Sequence, residues 1–431
     1  MLLQVLRNWA SLQRSQWMNR TSLAKLQNRR LRKTVHHACQ KVPFYQKLYK
    51  SAGVDSNSIT SVKDIAKLPI TRKEQLRAAP LQERTASGTD LSACRVHTTS
   101  GSTGATLTLL EDPYSAAYRD ALNLRFLWAY GVRPLDKVVR LRTSEAGGAQ
   151  PGIRLADRHG AWAYVRNKCT KQLTYDTDLN EHLQLLSMWK PDVLMAATPY
   201  CKALATLAET TGKTLNFRVV VTSAVLLDDS TRKFISDKFG AEVYDHYGIA
   251  EVGGSLAWEC PSHSGYHVNA ETLFLEFLND GEPVMAGRPG EVHVTSFCRV
   301  ATPIIRYFIG DIAVPIEDEC SCGRGLHLIK EIQGRTVDYI ATQDGRHVSP
   351  FAVINSLQAS GAYQFKVTQR EDYLIEVSII THQDNAESLI QEVQHRCRDL
   401  FRETPFEVQL VDRIDNAEDR KFRVVESRLA V

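Results

Sequence analysis

The chain has no run of about eighteen apolar residues, so no membrane-spanning helix is expected among its 431 residues. Its longest apolar stretch, around Val219-Val220-Val221, is short and reads as a buried strand. No internal repeat or low-complexity tract is visible, which excludes solenoid and disordered classes. Cysteine is present nine times, but only Cys320-Ser321-Cys322 is clustered. An odd, scattered set excludes a disulfide scaffold and points to a reducing, cytoplasmic compartment. No secretory apolar segment with a small-residue cleavage site is evident. Acidic residues are missing altogether from residues 1–50, which hold eleven Lys or Arg. The remainder carries 42 basic against 49 acidic residues, so the net charge of +4 conceals a basic start on an acidic body. Three readings fit that start: a targeting segment, a membrane-surface helix giving peripheral membrane contact, or a basic helix packed on the acidic body. The helical pattern runs on into Leu26, Leu31 and Val35, which favours the last. The cations are confined to one end without a recognition motif, so no nucleic-acid partner is expected.

What is present is a hydroxyl-rich loop, His97-Thr98-Thr99-Ser100-Gly101-Ser102-Thr103-Gly104-Ala105. Gly101 and Gly104 let backbone N–H groups approach an anion, and Ser100, Ser102 and Thr103 add donors. Together these make a phosphate cradle. It lacks the Gly-Lys-Ser/Thr ending of a Walker loop, because Gly104 is followed by Ala105. The cation that a polyphosphate requires must come from elsewhere in the chain.

The chain is too long for one ordinary core. Residues 20–90 read as helices broken by Pro43, Pro69 and Pro80. Strand-like runs then alternate with helical ones: Leu107–Leu110, 114–131, Val138–Leu141, 181–189, Asp192–Met195, 200–210, Phe217–Val221, Leu227–Phe239 and Val243-Tyr244. That alternation implies an α/β layered core. From about residue 268 alternating strands follow at Thr272–Phe277, Gly290–Thr295 and Ile304–Tyr307. The stretch 362–431 reads as a small α+β unit, with strands at Phe365–Thr368, Leu374–Ile380 and Glu407–Val411 around a helix over 386–401. A large domain over 1–335 and a small one over 336–431 are expected.

Several motifs carry chemistry. Asp245-His246-Tyr247-Gly248-Ile249-Ala250-Glu251 follows a strand and groups an aromatic face, a glycine and a carboxylate able to hold Mg²⁺ on phosphates. Arg306-Tyr307-Phe308-Ile309-Gly310-Asp311 ends in a carboxylate placed as ribose-binding carboxylates are. Gly334-Arg335-Thr336-Val337-Asp338 offers a fixed cation, and Arg420-Lys421-Phe422-Arg423 closes the set. Singly, Glu251 and Asp311 read equally well as turn carboxylates or caps.

In this order the motifs resemble the adenylate-forming superfamily, and within it the phenylacetate-CoA ligase-like branch, with its capsular-polysaccharide and coenzyme F390 synthetase relatives. The segments Val42–Tyr45 and Leu68–Arg72 also resemble that branch. The resemblance implies a large adenylation domain with a small mobile C-terminal α+β domain. It implies ATP- and Mg²⁺-dependent activation of a small-molecule carboxylic acid as acyl-AMP, then transfer to the CoA thiol. By the same resemblance Ser100, Gly101, Ser102, Thr103 and Gly104 grip the β- and γ-phosphates, and Tyr247 with Gly248 lies against adenine. Glu251 binds Mg²⁺, Asp311 and Arg335 hold the ribose, Asp338 is the hinge, and Lys421 reaches the reacting carboxylate. A homodimer is one arrangement found among such proteins. The sequence departs from the family at Thr222-Ser223-Ala224-Val225, where Gly-Glu or Gly-Ala-Glu is usual, and at Ala105 and before Lys421. An acceptor other than CoA (an amine, a hydroxyl or a carrier protein) and a non-catalytic nucleotide-binding homologue are the alternatives.

Cys260-Pro261-Ser262-His263 and His267 precede Cys320-Ser321-Cys322 by about fifty residues. Thiolates with an imidazole suit tetrahedral Zn²⁺. Cys260, His267, Cys320 and Cys322 are the expected ligands of a structural zinc, with His263 as substitute. Unmetallated loop thiols are the alternative.

Overall fold

The structure, a computed structural model, describes residues 1–99, 107–142, 169–175, 177–335, 339–348, 350–358, 360, 364–381, 386–412, 414 and 424–429. Helices α1 (Leu2–Ser15) and α2 (Arg20–Lys41) open the chain. The Asn19 side chain caps α2 by accepting from Ser22 N–H. Pro43 starts α3 (Pro43–Ser51), where its missing N–H costs nothing. Short helices α4 (Lys73–Ala78) and α5 (Leu81–Arg84) follow, so the prolines break the helical region as expected. The basic start does pack on the body, but not through charge. Val5 and Leu12 of α1 lie against Ala117, Ala121 and Leu122 of α6 (Pro113–Ala129), an apolar seam.

Strands β1 (Arg95–Thr99) and β2 (Leu107–Glu111) pair antiparallel and flank the hydroxyl loop. The main sheet then forms from β3 (Val138–Arg142), β4 (Thr170–Thr174), β5 (Val193–Ala197), β6 (Val219–Ser223) and β7 (Glu242–Ile249), all mutually parallel. Helices α7 (Leu179–Trp189), α8 (Thr198–Thr210) and α9 (Asp229–Phe239) connect them. Val220 and Leu194 are fully buried beneath Leu204, Ile235 and Phe239. Covering helices explain why these strands read as short continuous apolar runs. Asp228 caps α9 by accepting from Thr231 N–H.

The sheet continues antiparallel through β8 (Gly254–Glu259), β9 (Tyr266–Val268), β10 (Leu273–Asn279), β11 (Glu282–Pro283), β12 (Gly290–Ser296), β13 (Tyr307–Ile316) and β14 (Leu328–Arg335). Its twelve strands run β11-β10-β12-β13-β14-β9-β8-β7-β6-β5-β3-β4. Two expected strands start two or more residues later than their apolar runs. The run Phe217–Val221 begins its pairing only at Val219. Ile304 and Ile305 are buried but lie before the strand, which starts at Tyr307 after Arg306 takes a left-handed φ of 46°. Burial, not pairing, made Ile304 and Ile305 apolar.

Past Arg335, a hairpin of β15 (Ile340–Ala341) and β16 (His347–Val348) leads to α10 (Pro350–Gln358). A second sheet, ordered β19-β18-β17-β20, is built from β17 (Gln364–Gln369), β18 (Ile375–Ile380), β19 (Phe406–Leu410) and β20 (Val425–Ser427). Leu389, Val393, Cys397 and Phe401 of α11 (Ala386–Phe401) cover it, giving this unit a core of its own.

Candidate active site

The carboxyl end of β7 sets the centre of the site. Tyr247 is nearly buried there, and Gly248 follows at a register shift between β7 and β8. A Cβ on Gly248 would run into the Gly254 carbonyl, so only glycine lets the hairpin close. The chain then makes a single 3-10 turn, Ala250–Val252, which turns Glu251 back toward β13. Tyr307 and Asp311 stand on β13, and Arg335 is the register partner of Asp311 on β14.

The side chains meet. Tyr247 hydroxyl donates to Asp311 Oδ2 at 2.7 Å. Arg335 Nε lies 3.6 Å from Asp311 Oδ1. Tyr307 hydroxyl donates to Glu251 Oε1 at 3.2 Å. Burial first, then the Asp311 charge, pushes the Tyr247 phenol well up, so it stays a donor. The structure therefore brings together Tyr247, Gly248, Glu251, Asp311 and Arg335. Ser100, Gly101, Ser102, Thr103 and Gly104, as well as Asp338 and Lys421, lie outside the described residues.

Lys73 escaped the sequence reading. Its Nζ stands 3.8 Å from Glu251 Oε1. It reaches that position because Thr71 adds one bridge to β13: Thr71 N–H donates to Arg306 O and Phe308 N–H donates to Thr71 O, both at 2.9 Å. Arg306 braces the same segment from below. Its guanidinium donates to the carbonyls of Ala66 and Leu68 at 3.0 and 2.5 Å, and to Glu276 Oε1 at 3.1 Å. The signal was adjacent, since Lys73 directly follows the segment Leu68–Arg72 already singled out. Tyr307 sat within a quoted motif without a role.

A second polar cluster borders the β1–β2 hairpin. Buried Glu111 accepts from Arg119 and lies 3.0 Å from His97 Nε2 and 3.8 Å from Arg299 Nη1. Burial opposes ionisation of Glu111, yet His97 and Arg119 hold its carboxyl below the usual range. A Cβ on Gly253, one residue past the turn carrying Glu251, would lie 3.4 Å from Glu111 Oε1 and 3.8 Å from Arg299 Nη1. A cleft lies between the large sheet's helices and the second unit; Lys202, Val225, Leu226, Phe365 and Val424 are among its lining. Ala224, within Thr222-Ser223-Ala224-Val225, takes a φ of 72°.

The Cys/His set also converges. Cys260 follows β8, His267 lies on β9, and Cys320 and Cys322 come from the loop joining β13 to β14. Their four ligand atoms lie within 4.8 Å of one another. Cys260 Sγ is 3.5 Å from Cys320 Sγ, and Cys322 Sγ is 3.2 Å from His267 Nε2. Burial, with Arg324 and Arg125 nearby, pushes the His267 imidazole down to about 3, which keeps it neutral and able to ligate. Three sulfurs and one imidazole at these separations fit a closed tetrahedral zinc site. His263 is not part of it: Nε2 lies 2.9 Å from Glu242 and Nδ1 3.5 Å from Glu259. None of the nine cysteines forms a disulfide, and no helix among the described residues is long and apolar enough to cross a membrane.

No family model matches the chain. Phenylacetate-coenzyme A ligase from Thermus thermophilus is 26% identical over 359 residues, 78% of this chain and 75% of the relative. The chain is similar to the phenylacetate-CoA ligases over most of its length. Protein CapK from Staphylococcus aureus is 23% identical over 421 residues, 93% of this chain and 88% of that protein. Among solved structures, a 2-hydroxyisobutyryl-CoA ligase in the postadenylation state with 2-HIB-AMP superposes with a TM-score of 0.79 at 20% identity, covering 96% of this chain and 90% of that one. The same ligase in its thioesterification state, with 2-HIB-AMP and CoA, gives 0.64 at 21% identity, covering 95% and 90%. The fold is therefore that of the adenylate-forming enzymes.

Proposed function

We propose that the chain activates a carboxylic acid with ATP and passes the acyl group to the thiol of CoA. The observation that carries this reading is the convergence of two linked groups, Tyr247–Asp311–Arg335 and Tyr307–Glu251–Lys73, at the carboxyl end of the parallel strands, where α/β sheets bind ligands. Asp311 accepts from the ribose hydroxyls with Arg335 beside it, and the Tyr247 ring lies against adenine. Glu251 would hold Mg²⁺, which would offset polyphosphate charge when bound. Lys73 supplies a second cation at the phosphates, the help that Ser100–Gly104 lacks in its own sequence. The carboxylate oxygen attacks the α-phosphorus, and the bond to the β-phosphate breaks to release pyrophosphate. The thiol then attacks the acyl carbon, loses its proton, and the bond to AMP breaks. Two anions meet in the first step, so positive charge at the centre lowers its barrier. Lys421 is the residue assigned to the reacting oxygens.

The domains over 1–335 and 336–431 rotate about Asp338 between the two steps. Separate cores in the two units support this, as does the solution of a ligase of the same fold in postadenylation, open and thioesterification forms. Val424, three residues beyond Lys421, faces the cleft beside Val225 and Leu226, which supports delivery of this segment to the large domain. Cys260, His267, Cys320 and Cys322 hold a structural zinc. Mass spectra of reactions with ATP and a panel of acids test the function. Acyl-CoA should form with CoA, and acyl-AMP should accumulate without it; an acyl-AMP that CoA never consumes would redirect the second step to another acceptor.

A further inference from the structure

The eleven cations of residues 1–50 are left almost without counter-charges. Among the described residues, Lys47 alone pairs with a carboxylate, Glu83 at 2.8 Å. Arg20 and Arg30 donate to backbone carbonyls, of Glu317 and Asp318 and of Glu271 respectively. The others stand exposed. They are ordered along the helices. On α1, Leu3, Leu6, Arg7, Ala10 and Arg14 fall at i, i+3, i+4, i+7 and i+11, one stripe of the helix, and all five are exposed. On α2, Lys25, Arg29, Arg32 and His36 repeat that spacing and are exposed as well.

The apolar members of the first stripe, Leu3 and Leu6, lie outside the packed seam between α1 and α6. The opposite face, with Val5 and Leu12, already anchors α1 to α6. Leu3 is nevertheless 84% exposed and Leu6 43%. The turn after α1 adds Trp17 at 52% and Met18 at 37%, with the Arg324 guanidinium 4.8 Å over the Trp17 ring. Leucines set between arginines on a docked helix describe a surface that is both cationic and greasy. A polyanion such as RNA has use for the arginines but not for Leu3 and Leu6. An anionic bilayer has use for both: the leucines enter the headgroup–acyl boundary, while arginine stems lie along it and their guanidinium groups meet lipid phosphates. We infer that α1, with the cationic stripe of α2, docks the chain on anionic lipid surfaces.

The test is sedimentation of the full chain with vesicles of phosphatidylcholine, alone or mixed with phosphatidylglycerol, at low and high salt. Wild type should partition onto the anionic vesicles at low salt, leave them at high salt, and ignore the neutral ones. R7Q/R14Q should weaken partition by about 30-fold, two surface charges' worth. L3S/L6S should weaken it by about tenfold with every charge retained. Both variants should keep wild-type acid-dependent pyrophosphate exchange in solution, which certifies the fold. No partition onto anionic vesicles, or equal partition onto neutral ones, overturns the inference. So does unchanged partition of L3S/L6S, the outcome expected of a surface made for RNA or another soluble polyanion.

Discussion

Replacing Lys73 by methionine removes one charge and keeps most of the stem. In the protein that charge faces Glu251 at 3.8 Å, with side-chain exposures of 25% and 12%. Coulomb's law at that distance gives ~1 kcal/mol in water and ~4 kcal/mol at an effective dielectric of about 20. Partial exposure and side-chain ordering pull the folding contribution toward the lower figure, about 1 kcal/mol or less. The same charge facing a polyphosphate during phosphoryl transfer acts on much more negative charge. Single groups that stabilise such transition states contribute about 3 kcal/mol, or roughly a hundredfold in rate. K73M should therefore lower kcat/KM for ATP by about a hundredfold while shifting the urea midpoint little, and K73R should recover part of the loss. Pyrophosphate exchange and equilibrium unfolding on the same preparations measure the two effects. A K73M rate within about threefold of wild type, less than 1 kcal/mol, would refute the assignment. A rate loss explained by unfolding alone would refute it equally.

Three further outcomes follow from other parts of the molecule. Ala224 holds a φ of 72°, a region costing a residue with a Cβ about 1 kcal/mol. Part of that is returned by the freer unfolded chain of A224G, so the variant should gain roughly 0.5 kcal/mol in urea unfolding; a loss would contradict the strain. His246 is partly buried, with Nε2 at 2.9 Å from Ser255 Oγ, and desolvation first, then Arg140, pushes its pKa down from 6.5 to about 4. Its contribution is present above pH 6.5 and lost as pH falls toward 4. At pH 4.5 that loss is about 2–3 kcal/mol, and H246Q should show a correspondingly smaller stability difference between pH 7 and 4.5. For the Cys/His site, elemental analysis should find one zinc per chain. Chelation or C320S should lower stability by several kcal/mol and expose the Trp17 turn to proteolysis. That turn rests on the same loop, with Gly325 N–H donating to Gln16 O and Arg324 Nε to Gln16 Oε1, each at 3.0 Å. Unchanged melting and cleavage after zinc removal would count against the site.

The α/β half was legible where its strands are buried and its helices carry one apolar stripe, whereas β4, with no buried residue, offers no apolar run and was not expected; the helix over 386–401 was placed to the residue. The Cys/His set was legible because soft ligands are scarce, although the choice of His267 over His263 depended on strand pairing that brings only the former to the thiols. Strand limits near Ile304 were not legible, since an apolar run reports burial and not hydrogen bonding. Lys73 was hidden for a different reason. Its position depends on Thr71 bridging to Tyr307 across more than two hundred residues, and no local pattern announces such a contact. The basic start misled in part: charge asymmetry suggested pairing with an acidic body, whereas the docked face of α1 is apolar and the cations point outward.

Acid-dependent exchange of labelled pyrophosphate into ATP reads the adenylation step alone, whatever the acceptor. With the right carboxylic acid, wild type should exchange only when acid, ATP and Mg²⁺ are all present, and D311A should abolish exchange while leaving the fold intact. Nucleotide binding with no exchange across a broad panel of aryl and aliphatic acids would contradict the account.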